Sequence, residues 1–455
     1  MRSECEEDIL KLIRPKMEEK ESILSLAEKL VAFVDESGTA KGMIVGSVAR
    51  NTWVSGDLDL DIFMLFDPNL SREELEEKGL LLAKKTALSF GGDIVEKYAE
   101  HPYINTNIDG FDVDLVPCYA VPDASQIKSA VDRTPFHTKY ISERVKGLSD
   151  DVILLKQFLK SCGVYGSDLM TGGFSGYLCE LLVCFYGGFH ECLEAARGWH
   201  PGIVIDIENH QSKEFDDPLV VIDPVDPKRN VAAALCATAM YSFAEYSRGY
   251  LSGPSCLFFE NRKVRKISYE SFSEEIEKRG TFFYGVVFDT PGEIPDIVVP
   301  QLKRSVSSAK GLLERNGFSV NRADCFMGEK KSLLLFELLV EKLPRIERRT
   351  GPPVWEEENS MRFIQKHLGN AFSGPYICEG VYYAEVERRY TDAGGLLESG
   401  DFISCGLGKH VKRVISGNYS VFKGSECWNE EFSGFLYDFI AKSSPLCRMH
   451  ILKEL

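Results

Sequence analysis

No CxxC pair occurs among the 13 cysteines, and no Cys/His cluster stands at zinc spacing, which excludes zinc fingers and ribbons. The thiols read as reduced, mostly small core residues of a cytosolic protein. No apolar run is long enough to span a bilayer. The longest, SGYLCELLVCFYGGF at 175–189, is interrupted by Glu180. The acidic start MRSECEEDILKL is not expected to be a secretory signal. GxxxxGK[ST], HExxH and GxGxxG are all missing, so P-loop, zincin and dinucleotide-binding readings fall away. GGFSGY at 172–177 fails as a hydrolase elbow, because Tyr177 stands where a glycine is needed. There is no internal repeat and no low-complexity tract. Positive charge is in deficit, with 53 Lys and Arg against 69 Asp and Glu and a net charge of -16. That excludes a protein that coats nucleic acid over its whole surface, and leaves room for a local basic face.

The chain has 455 residues, 44% of them hydrophobic. At roughly 150 residues per domain, that suggests about three domains. Helical spacing occurs over 20–36, and 42–48 reads as a short strand running into a turn. LDLDIFMLF at 58–66 and FDVDLVP at 111–117 alternate as strands, with a helix over 71–90 between them. From about 143 the pattern turns helical, with helices expected over 150–161, 175–197 and 229–250, the last opened by Asn230. Strands are expected at 281–289, 318–326, 332–340 and 377–387. Helices are expected at 301–316, 356–369 and 428–442. The β-α-β-β order that starts at 281 resembles half of a ferredoxin-like or RRM-like unit.

Asp59 and Asp61 sit two apart on a strand and share one face, as do Asp112 and Asp114 on another. An isolated pair of this kind is usually the wet face of a strand. Here Gly46-Ser47 lies thirteen residues before Asp59, and such a turn at a helix start offers N–H groups and a hydroxyl to a phosphate. If the two acidic faces meet, three carboxylates converge. Such a cluster repels itself unless a cation is bound, and hard oxygen ligands select Mg²⁺. A metal pair would clamp the attacking and leaving oxygens of a phosphoryl transfer. By spacing alone, either Asp112 or Asp114 could be the third ligand.

Residues 46–66, GSVARNTWVSGDLDLDIFMLF, resemble the polymerase-β-like nucleotidyltransferase superfamily. The blocks VDLVPCY (113–119), SAVDRTPFHTKYI (129–141), LLKQFLKSCGVYG (154–166), GFSGYLCELLV (173–183) and VIDPVDPKRNVAA (221–233) narrow the resemblance to the archaeal, class I CCA-adding tRNA nucleotidyltransferases. These blocks cover about the first 250 residues. The GGxxRD start and EDxxR block of the bacterial and eukaryotic enzymes are missing.

The resemblance implies an α+β multidomain protein: a nucleotidyltransferase head over 1–142, a helical neck over 143–256, and an RRM/ferredoxin-like body with tail over 257–455. It implies an enzyme of the cytoplasm that adds C, C and A to the tRNA 3′ end from CTP and ATP, with Mg²⁺ and release of pyrophosphate, working as a homodimer. Asp59, Asp61 and Asp114 would be the metal-binding carboxylates. Ser47, Arg50, His137, Lys156 and Tyr165 would face the nucleotide, and Arg229, placed at a helix start, would read its base. The plainer alternatives are a surface ion pair for Arg50, a snorkelling stem for Lys156, a core aromatic for Tyr165 and a structural imidazole for His137.

For the RNA, 301–350 is a basic island with 11 Lys and Arg against 6 Asp and Glu, including Lys303, Arg304, Arg345, Arg348 and Arg349. GKHVKR at 408–413 is a second. Two rival functions remain: a poly(A)- or oligoadenylate-type polymerase sharing the carboxylates, and an inactive RNA-binding adaptor.

Overall fold

The computed structural model describes residues 2–98, 100–261 and 265–453. The chain divides into two compact units, Met1–Lys263 with Ser443–Leu455, and Val264–Lys442.

In the first unit, β1 (Lys41–Ile44), β2 (Asp59–Phe66), β3 (Val95–Tyr98), β4 (Pro102–Ile108) and β5 (Phe111–Tyr119) form one sheet in the order β1-β2-β5-β4-β3. Only β2 and β5 run parallel. Strand alternation sends Leu60, Ile62, Val113 and Leu115 to one face. There they pack with Ile23, Leu30 and Val34 of the helix Met17–Glu36 and Leu75 and Leu82 of the helix Arg72–Ser89. The second helix opens with the expected Ser71, which forms a capping box with Glu74. The opposite face of β2 and β5 is left for the acidic residues.

The helices Thr134–Arg144, Ser149–Cys162, Gly176–Tyr186, Phe189–Ala196 and Ala237–Ser252 follow. Ser149–Cys162, Phe189–Ala196 and Ala237–Ser252 supply Phe158, Phe189, Phe243, Tyr246 and Tyr250 to one aromatic core. Two expected helices are corrected. The one expected over 175–197 is two, because Gly187 takes a left-handed conformation (φ 91°) and ends the first. The one expected over 229–250 begins only at Ala237. Before it lies a small sheet of β6 (Ile203–Ile205), β7 (Leu219–Asp223) and β8 (Asp226–Asn230). Asn230 does not cap a helix. Its side-chain oxygen accepts from the N–H groups of Val221 and Ala232, so Arg229 stands on a strand. Cys5 and Cys256 form a disulfide, contrary to the expectation that all thiols are reduced, and the remaining cysteines are unpaired.

In the second unit, β9 (Phe282–Asp289), β10 (Val320–Met327), β11 (Lys331–Leu338), β12 (Ile346–Pro353), β13 (Ser373–Cys378), β14 (Val381–Glu387) and β15 (Ser420–Lys423) build two sheets. The larger has the antiparallel order β10-β11-β9-β15. With the helix Pro295–Arg315 between β9 and β10, and Lys409–Gly417 before β15, this completes the ferredoxin-like β-α-β-β-α-β unit of which half was expected. The smaller sheet, β12-β14-β13, is inserted after β11 with the helix Glu357–His367. The single strand expected at 377–387 is a hairpin. Glu379 and Gly380 both have positive φ (46° and 79°), which turns the chain within two residues.

On β11, Glu337 is fully buried and accepts from Arg279, Thr281, Asn321 and Arg322 at 2.7–2.9 Å. Burial alone would push its carboxyl up, but the bonds from Arg279, Thr281 and Arg322 outweigh it and hold it at about 2. A carboxylate depressed in the folded state contributes stability above its unfolded pKa, near 4.5, and loses it as the pH falls towards 2. Glu337→Gln should therefore destabilise the protein at pH 7 by on the order of 3 kcal/mol. In chemical denaturation, that difference should shrink steadily between pH 4.5 and 2. A difference independent of pH would show that packing, not ionisation, carries the effect.

Candidate active site

The pairing of β2 with β5 sets Asp59 opposite Asp112 and Asp61 opposite Asp114. The register is parallel and unbroken, so all four side chains point to the same face. Above them the chain leaves β1 and turns at Gly46 into the five-residue helix Gly46–Arg50. Gly46 has φ 69°, and a Cβ there would overlap the Asp61 carboxylate. Glycine is required on both counts. The result is a cavity of about 340 Å³ lined by Gly46, Ser47, Arg50, Trp53, Asp57, Asp59, Asp61, Lys97, Asn105, Asp112, Asp114, Lys156, Tyr165 and Gly176.

The carboxylates sit uneasily together. Burial, with Asp114 next, pushes Asp61 up to about 6. Burial, then Asp57 and Asp112, raises Asp59. Asp114 is raised by burial against the pull of a hydrogen bond from Asn105. Asn105 donates to both Asp112 and Asp114, the latter at 2.8 Å. Among the described residues, no hydrogen-bond donor or ion-pair partner reaches the carboxylates of Asp59 and Asp61, and no three His, Cys, Asp or Glu side chains are gathered closely enough to hold one ion. Oxygen-only donors, raised by burial and by one another despite Arg50, Lys97 and Lys160 nearby, fit a hard divalent cation.

The cationic wall is built from two parts of the chain. Arg50 is buried, not at a surface ion pair. Its Nε lies 3.0 and 2.9 Å from the two oxygens of Glu180, and it donates to Thr138. Lys156 is also buried and does not snorkel. Its Nζ donates to the Thr52 carbonyl at 2.9 Å and lies 3.9 Å from Glu180. Burial pulls its ammonium down despite that carboxylate. Glu180, fully buried on the helix Gly176–Tyr186, thus holds one cation and faces a second. Tyr165 lies beside Lys160, whose Nζ is 5.3 Å from the ring centre and pairs with Asp57.

Arg229 lines a second cavity, of about 970 Å³, with Arg133, Ser175, Asp226 and Lys228. Ser175 borders this cavity and Gly176 the first, so the two adjoin at one helix start. His137 lines neither. It is buried, stacks on Tyr177 with ring centres 4.2 Å apart, and joins Arg229 through Asp223. The five candidate RNA contacts all belong to the other unit. Lys303 and Arg304 are exposed on the helix Pro295–Arg315, Arg345 is exposed just before β12, and Arg348 and Arg349 are exposed on β12. Arg348 covers the Tyr383 ring at 3.8 Å, while Arg345 and Arg349 pair with Glu387 and Glu347.

Glu180, Asp223, Asn105 and Lys97 escaped the sequence reading. Glu180 left a signal, since a lone charge inside the apolar run GYLCELLVCFY has to be paired. The others left none.

Residues 27–137 match the nucleotidyltransferase domain family, 150–260 the second domain of tRNA nucleotidyltransferases, and 279–424 the C-terminal domain of CCA-adding enzymes. The CCA-adding enzyme of Methanoregula boonei is 52% identical over 96% of this chain and 95% of its own. Those of Methanosarcina mazei (40%, over 95% of this chain and 97% of its own) and Haloarcula marismortui (41%, 88% and 89%) are similar along nearly the same extent. With matches in order from head to tail and at these identities, the chain belongs to the CCA-adding enzyme family of tRNA nucleotidyltransferases.

Proposed function

We propose that this enzyme rebuilds and repairs the CCA end of tRNA from CTP and ATP at the cavity between β2, β5 and the helix Gly46–Arg50. The observation that carries this reading is the parallel register that aligns Asp59, Asp61, Asp112 and Asp114 beneath Gly46-Ser47. Asp59, Asp61 and Asp114 would hold Mg²⁺, with Asp112 beside them. Bound Mg²⁺ supplies Lewis-acid polarisation of the triphosphate and acidifies the terminal 3′-hydroxyl of the RNA.

The protein's own groups do the rest. The Ser47 hydroxyl donates to a triphosphate oxygen. Arg50 and Lys156, held in place before substrate arrives, neutralise the charge that builds up as pyrophosphate leaves. Tyr165 closes the cavity against water. Arg229, with His137 behind it, faces the base of the incoming nucleotide in the adjoining cavity. In this reading 1–142 carries the carboxylates and Arg50, 143–256 carries Lys156 and the base contact, and 257–455 the tRNA. Lys303, Arg304, Arg345, Arg348 and Arg349 meet backbone phosphates, which every tRNA shares. The enzyme acts in the cytoplasm as a homodimer, as the family resemblance implies.

Incorporation of labelled CTP and ATP into tRNA transcripts ending before CCA, after C and after CC tests the function. CTP use on the first two and a single ATP on the third is expected. Long ATP tails on any RNA would turn the reading to a poly(A)-type polymerase, and tRNA binding without incorporation to an adaptor. For the RNA face, reversing Arg348 and Arg349 to Glu should weaken tRNA affinity. It should also flatten the plot of log Kd against log salt by about one to two. Unchanged affinity would move the tRNA off β12.

A further inference from the structure

We propose that Asp223 is a specificity-determining residue that acts through Arg229 and His137. By locking them into one rigid unit, it lets the site accept cytosine and adenine and turn away uracil and guanine. This rests on the reading above that Arg229 faces the nucleobase.

Asp223 ends β7 and is fully buried. Its Oδ2 accepts from His137 Nε2 at 2.8 Å and from Arg229 Nη1 at 2.7 Å. Its Oδ1 accepts from the Val225 N–H at 3.1 Å, with the Tyr177 hydroxyl at 3.5 Å. Both partners' hydrogen bonds end on one oxygen, so a single buried carboxylate sets the position of both. The imidazole is held a second time by its stack on Tyr177. Burial keeps His137 neutral, so Nε2 carries the proton it donates to Asp223. Burial pushes the Asp223 carboxyl up, but His137 and Arg229 outweigh it, so the anchor stays ionised. Arg229 itself is partly exposed and lines the larger cavity, and among the described residues Asp223 is its one hydrogen-bond partner.

Cytosine and adenine share one arrangement on the pairing edge, a ring nitrogen that accepts beside an amine that donates. Uracil and guanine share the inverse, a ring N–H beside a carbonyl. A guanidinium free to swing finds an acceptor on all four, at the ring nitrogen of one pair or the carbonyl of the other. Only a guanidinium fixed in place meets the ring nitrogen and misses the carbonyl. In the wrong pair it is then left facing a ring N–H, donor against donor, and an unpaired buried donor is costly. The discrimination therefore depends on the anchor as much as on the arginine.

The test is the isosteric Asp223→Asn: it removes the charge that holds the guanidinium, and either amide orientation sets a donor against a donor, facing His137 and Arg229 in one and the Val225 N–H in the other. kcat/KM is measured for CTP and UTP on tRNA lacking CCA, and for ATP and GTP on tRNA ending in CC. The CTP/UTP and ATP/GTP preferences should each fall by about tenfold or more, and the loss against UTP and GTP should be smaller than against CTP and ATP. A purely structural role would lower all four by a common factor, and unchanged ratios overturn the proposal. If Asp223→Asn does not fold, His137→Leu carries the same test, because it removes one of the two donors that pin the carboxylate. Unchanged ratios there have the same meaning. Wild-type protein that incorporates neither CTP nor ATP would instead sink the proposed function.

Discussion

Replacing Asp61 with asparagine should cut nucleotide transfer by about 10³-fold or more while leaving tRNA Kd within about twofold. The two readouts separate because Asp61 lines the carboxylate cavity, whereas the candidate RNA contacts stand in the other unit. A third readout sharpens the assignment. Asparagine keeps the shape, so it still fits against Gly46, but it removes one charge from a set that repels itself. In buffer with a chelator, Asp61→Asn should be at least as stable as the parent, by roughly 0.5–2 kcal/mol. A residue that is stabilising to remove and fatal to activity is the signature of a charge kept for function. Activity within tenfold of wild type would remove Asp61 from the catalytic group. A large loss of stability would make it a structural residue instead.

Glu180→Ala should strongly destabilise the first unit. Among the described residues, the variant leaves Arg50 and Lys156 buried with no ion-pair partner within 4 Å. Breaking a buried pair by removing one partner costs about 3–5 kcal/mol, because the surviving charge keeps its desolvation penalty. Here two cations survive. Glu180→Gln should cost less, about 1–3 kcal/mol, since its amide oxygen still accepts from Arg50 or from the Thr52 hydroxyl. Denaturant unfolding of the full chain measures both. A loss below 1 kcal/mol for the alanine variant would mean that water enters and solvates the two cations. The same network explains why the wall is built this way. Two cations fixed before the triphosphate arrives need no reorganisation when it binds, and one carboxylate makes their burial tolerable.

Much of this site lay open in local patterns. Period-two alternation put Asp59 with Asp61, and Asp112 with Asp114, on shared faces. The Gly46-Ser47 turn, the Ser71 cap and the β-α-β-β order from residue 282 are likewise features of a few consecutive residues, and each occurs in the structure as read. Where local pattern misled, a short-range competitor won. Gly187 broke an apolar run that reads as one helix, and the Asn230 side chain served a strand neighbour instead of a helix start.

What sequence could not decide is every pairing across long separations. That β2 lies beside β5, parallel and in a register that sets Asp61 opposite Asp114, depends on the sheet order. A slip of one residue would have sent one acidic pair to the core face. Arg50 meets Glu180 across 130 residues, and His137 meets Asp223 across 86. These contacts follow from how whole helices and sheets bury their apolar faces, and that is a property of the folded chain. The residues able to do the chemistry were therefore legible one by one, and the buried carboxylates that hold them in position became visible only in three dimensions.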